Sequence, residues 1–71
     1  MKIELTGGEL LYAAAQHVLY ISPSSEDGQF PPGSKCSVHF VDGSVFYSKE
    51  DPYHLDLRRT WAVRNIYKFS E

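Results

Sequence analysis

An α+β fold is predicted: a small, twisted, partly rolled antiparallel sheet of about five strands with one C-terminal helix packed on it. Three features carry this expectation. Two alternating apolar runs flank Asp42-Gly43 in SKCSVHFVDGSVFYS, residues 34–48. A further alternating run, KIELT, ends in Gly7-Gly8. Finally, Asp51-Pro52 opens a segment in which Tyr53, Leu57 and Trp61 recur at helical spacing.

Taken in order, residues 2–6 place Ile3 and Leu5 on one side of a strand, and the glycine pair supplies the turn into a partner strand. The segment ELLYAAAQHVLYI has two readings. Leu11, Ala14, Ala15, Val18 and Leu19 make a helical stripe, and Thr6 with Glu9 matches a capping box. Gly7 and Gly8 in that first turn would each cost roughly 1 kcal/mol relative to Ala, so strand, a short turn at Ala14 to Gln16, and a strand from His17 to Ser22 is preferred. Residues 22–34, SPSSEDGQFPPGS, read as a long loop whose large apolar residue is Phe30. The loop is a plain surface connection or a binding loop led by Phe30-Pro31-Pro32.

Asp-Gly is favoured in two-residue type I′ hairpin turns. Such a turn sets Phe40 opposite Val45, Val38 opposite Tyr47 and His39 opposite Phe46. Cys36, Val38, Phe40, Val45 and Tyr47 then share the expected core face, and Ser37, His39, Ser44, Ser48 and Phe46 the other. Asp51 suits an N-cap and Pro52 the first helical position. The Tyr53, Leu57, Trp61 stripe is expected to lie across the sheet, and Trp61, Val63, Tyr67 and Phe69 can instead close the chain as a short strand.

With 71 residues the chain supports one domain, residues 1–71. One Trp, five Tyr and four Phe suffice for a core, yet domains of this size retain only a few kcal/mol of stability, to which a dimer or another partner can add. The single cysteine, Cys36, cannot close an internal disulfide, which points to a reducing compartment and a cytoplasmic location. Glu4, Glu9, Gln16 and His17 interrupt the N-terminal apolar residues, so neither a signal segment nor a membrane span is expected there.

Catalytic motifs are not recognisable. Cys36 and His39 stand three apart on a strand, hence on opposite faces, and His17, His54 and the serines form no set with them. His54 with Asp51 and Asp56 offers too few convergent ligands for a metal, and Glu50-Asp51 suits a helix start, where acids meet the dipole. No Gly-rich phosphate motif is present. Neither catalysis nor a cofactor is expected.

A net charge of −2 gives no long-range attraction for nucleic acid. Locally, however, Arg58, Arg59, Arg64 and Lys68 interleave with Trp61, Tyr67 and Phe69, a mixture suited to stacking and phosphate contact, though four cations neutralise few phosphates.

The succession KIELTGGELLY, HVLYISPS, a loop, SVHFVDGSVFYSKED and a short helix resembles the small FlbD-like proteins associated with bacterial flagella and short phage open reading frames. In that comparison Ala14 to Val18 stands where the family has a one-turn NPDHI-like element, and Asp42-Gly43 through Lys49-Glu50 matches its Gly-containing hairpin. The likeness spans residues 2–51, and the family's Asn-Pro is missing. The resemblance implies the strand reading of residues 9–21 and no catalytic residues.

The expected function is therefore binding: a non-catalytic interaction protein that modulates another macromolecule by covering its surface, with an inhibitor of a host complex in the manner of anti-CRISPR proteins as its most specific form. Phe30, Tyr53, Arg58, Arg59, Trp61, Arg64, Tyr67 and Phe69 are the candidate contacts, since binding energy concentrates in aromatic and Arg side chains. A nucleic-acid accessory module using the basic C-terminal segment and a small-ligand sequestering protein are the alternatives.

Overall fold

The computed structural model describes residues 1–24 and 30–69, with side chains described as far as Arg64. Five strands and one helix follow in the order β1 (Lys2–Glu4), β2 (Leu10–Tyr12), β3 (Val18–Pro23), β4 (Cys36–Phe40), β5 (Val45–Ser48) and α1 (Pro52–Phe69). A 3₁₀ turn, Ala15–His17, leads into β3. Residues 10–23 are thus strand, turn and strand, and the helical alternative for them does not form.

The α+β class holds, but the strands make two antiparallel sheets rather than one. β1 pairs with β2, while β3, β4 and β5 form a three-stranded sheet in that order. Ser48 joins them. Leu5 forms a bridge to it, its Oγ donates to the Glu4 carbonyl at 2.7 Å, and the same oxygen accepts from the Glu50 amide at 3.0 Å. The Glu50 carboxylate in turn accepts from the Glu4 amide at 2.8 Å. A short β1 therefore ends against the exit of β5, with its outward polar groups paired.

Both hairpins turn in the same way. The Leu5 amide donates to the Glu9 carbonyl and the Gly8 amide to that of Leu5; Phe40, Ser44 and Gly43 repeat the pattern. This is a three-residue loop, a type I turn closed by a left-handed glycine, with φ of 91° at Gly8 and 93° at Gly43. The two-residue type I′ turn expected at Asp42-Gly43, which needs positive φ at both residues, does not form, and Gly43 alone of the two is left-handed. The observed loop keeps Asp42 regular and lets its carboxylate accept from the amide of Ser44 at 2.8 Å and from the Ser44 hydroxyl.

One residue of register changes every face of β5. Val38 pairs with Phe46, Ser37 with Tyr47 and His39 with Val45. Phe46 and Ser48 accordingly turn inward, and Val45 and Tyr47, expected in the core, turn outward. Inside lie Ile3, Val18, Cys36, Val38, Phe40 and Leu55, with Met1, Leu5, Leu11, Ala13, Ile21 and Phe46 packed around them. Phe40 and Phe46 meet edge to face at 5.6 Å between ring centres. On β3, a bulge between Val18 and Tyr20 leaves Leu19 out of the pairing and exposed.

α1 begins as expected, with the Asp51 carboxylate accepting from the amides of Tyr53 at 2.8 Å and His54 at 3.3 Å. It then continues helically through Phe69, so the closing-strand alternative fails. Its packing also departs from expectation. Leu55 is fully buried, and Pro52, Arg59, Ala62 and Val63 are half-buried around the same side. Tyr53 and Leu57, each two residues from Leu55, fall about 160° around the helix from it.

Candidate functional site

Turned away from the core, α1 presents Tyr53, Leu57 and Trp61, which are 68%, 52% and 69% exposed. An amphipathic surface helix normally buries such a stripe and shows polar residues outward. Here Leu55, helped by Pro52 and the half-buried Ala62 and Val63, supplies the inward face, and the aromatic stripe stays largely exposed. Three large apolar side chains are thus exposed at i, i+4 and i+8 along one helix.

The stripe borders a groove of about 610 Å³ between α1 and the start of β1, lined by Met1, Lys2, Leu57, Arg58, Trp61 and Ala62. Of these, Leu57 and Trp61 are exposed and Met1 and Ala62 half-buried. Lys2 belongs to β1, whose Ile3 is fully buried, so strand alternation brings Lys2 outward onto the groove.

The other candidate contacts divide sharply. Arg58 holds the Glu50 carboxylate at 2.7 Å, and Arg59 holds Asp56 at 2.8 Å on the helix. Two of the four C-terminal cations expected to meet phosphate are therefore already matched by acids. Arg64 is exposed. Phe30 is not a projecting loop anchor, because it is half-buried and packs edge to face on Tyr47 at 5.2 Å. The side chains of Tyr67, Lys68 and Phe69 lie outside the described residues.

Cys36 and His39 lie on opposite faces of β4, as strand alternation requires. The Cys36 thiol is buried and donates to the Glu50 carbonyl at 3.4 Å. Burial pushes its pKa up; the Ser48 hydroxyl pulls the other way, and the charges of Glu50 and Asp51 add to the rise. A thiol held protonated in the core is a poor nucleophile. His39 instead bonds Ser37 Oγ through Nε2 at 2.9 Å and stacks on Tyr20 with ring centres 4.1 Å apart. His17 is far from Cys36 along the sheet, its carbonyl accepting from Val41 at the opposite end of β4. Among the described residues no three His, Cys, Asp or Glu side chains converge as metal ligands, and no helix is long and apolar enough to cross a membrane.

A second concavity, of about 540 Å³, lies between β2 and the β4–β5 turn. Leu11, Phe40 and Phe46 line it, with His17, Asp42 and Ser44 as its polar groups.

Sequence reasoning missed the groove because its two walls come from opposite ends of the chain. It also set Leu57 in the core. The available signal was Leu55, which with Ala62 and Val63 forms a competing stripe of the same period.

No family model, curated protein or solved structure matches the chain.

Proposed function

We propose that this protein is an interaction module that binds another protein through the outward face of α1 and the groove beside β1. The observation that carries the reading is the solvent-facing stripe Tyr53, Leu57, Trp61 on the side of the helix opposite Leu55. Leaving such a stripe in water forgoes about 1.5–3 kcal/mol per large side chain, which a partner recovers on covering it. One standard interface buries about 800 Å² per partner, a large share of so small a surface, so occupation of this face would block whatever the partner does there. An inhibitor of a host complex, the narrower role that small size suggests, would act in this manner. The likeness to FlbD-like and short phage proteins sits with a non-catalytic reading.

Capture of partners from bacterial lysate, with and without nuclease, tests this. Wild-type protein should retain a stoichiometric, nuclease-resistant protein that Leu57→Glu loses, while the variant keeps its fold by circular dichroism. Equal retention by Leu57→Glu removes the reading.

The cleft beside the β4–β5 turn favours a second reading, a small-ligand protein, since its volume falls within the range of ligand pockets and its apolar lining carries a few polar groups. A thermal-shift screen of nucleotides and cyclic dinucleotides that leaves the melting curve unmoved would dispose of it.

A further inference from the structure

We propose that the occupant of the α1 groove is an acidic amphipathic helix of a partner protein, held by apolar anchors and by carboxylates that meet Lys2 and Arg64. This inference rests on the docking reading above and names the chemistry of the partner.

Charge selects the occupant. Beside Tyr53, Leu57 and Trp61, the outward half of α1 carries His54, Thr60, Arg64 and one acid, Asp56, which Arg59 already holds. The groove lining adds Lys2 and no acid. The ion pairs among the described residues engage Lys49, Arg58 and Arg59, which leaves Lys2, Arg64 and the distant Lys35 with no carboxylate there. Among the described residues this face and its groove thus carry two cations without a carboxylate, Lys2 and Arg64, while their one acid, Asp56, is matched.

That distribution argues against the two competing occupants. A second copy docking face to face would set Lys2 and Arg64 against their own kind, and like charges across an interface are unfavourable. Single-stranded nucleic acid could stack on Tyr53 and Trp61, yet Arg58 is matched by Glu50 and the remaining cations would neutralise few phosphates. A groove walled by Met1, Leu57 and Ala62 suits aliphatic and aromatic side chains. From Tyr53 to Trp61 the stripe runs about 12 Å, roughly two turns, so a helix laid beside α1 matches it with anchors at i, i+3 or i+4 and i+7.

Selection from a random linear-peptide library displayed on phage, with Leu57→Glu as the counter-selecting surface, tests the proposal without knowledge of the natural partner. Selected sequences should carry net negative charge and apolar residues at helical spacing. Trp-free synthetic versions can then be titrated against the emission of Trp61, the chain's single tryptophan. Replacing their Glu by Gln, or combining Lys2→Glu with Arg64→Glu in the protein, should weaken binding about tenfold at low salt, with less effect at high salt. Enrichment of neutral or basic peptides, or affinity indifferent to these changes, overturns the acidic partner and leaves the α1 face as a docking site. No enrichment over Leu57→Glu, with Trp61 emission responding instead to an oligothymidylate or to protein concentration, overturns both.

Discussion

Leu55 and Leu57 lie two residues apart on α1 and on opposite sides of it, Leu55 fully buried in the core cluster, Leu57 half exposed. The same side chain on the same helix therefore sits in two different environments. Leu55→Ala should destabilise the fold by about 2–5 kcal/mol through lost burial and a cavity. Leu57→Ala should stay within about 0.5 kcal/mol. Urea denaturation of both variants checks the assignment, and comparable losses would mean that α1 packs the other way round.

Ser48 holds the two sheets together through one hydroxyl that both donates to Glu4 and accepts from Glu50. Ser48→Ala leaves a carbonyl and an amide without that partner and should cost about 1–3 kcal/mol. Hydrogen exchange at the Glu50 amide should rise more than global unfolding accounts for.

Cys36 should resist thiol reagents in the native protein and react fully once it is unfolded. Its folded pKa is raised, chiefly by burial. The sign follows: the stability linked to the neutral thiol is fully present below the unfolded pKa and is lost as pH climbs through the raised folded value. Wild type should thus lose stability relative to Cys36→Ala above the ordinary thiol range of about pH 8–9. A difference between them that stays flat through that range would contradict the buried, protonated thiol.

The β4–β5 turn makes two predictions of opposite origin. Gly43→Ala puts an L side chain at φ 93° and should cost about 1–2 kcal/mol from backbone strain alone. At Asp42 the carboxyl pKa is lowered, first by the Ser44 hydroxyl and then by its amide. Its contribution is present above the unfolded pKa and fades as pH falls through the lowered one. Wild type and Asp42→Asn should therefore converge in stability in acid, as followed by thermal melts across the carboxylate range.

How much of this was legible in the sequence follows from the range of each interaction. The strands, the glycine turns, the 3₁₀ interruption and the Asp51-Pro52 start are local: each depends on backbone preferences of neighbouring residues, and each is written where it acts. The opposite faces of Cys36 and His39 are equally local, because strand alternation alone separates them. Exposed Tyr53 and Trp61 were recognisable as candidate contacts by type, but not as exposed.

Tertiary structure decided the rest. Whether Asp42-Gly43 closes a two- or a three-residue loop depends on which of Phe46 and Tyr47 the core takes, and only the assembled sheet makes that choice. How the two sheets are joined depends on Ser48 meeting Glu4, a contact across 44 residues of chain. Which of two apolar stripes α1 buries depends on the surface it meets. Leu55 joins the core cluster with Ile3, Val18 and Phe40, and the larger Tyr53 and Trp61 remain exposed because a helix can present only one side to a single core.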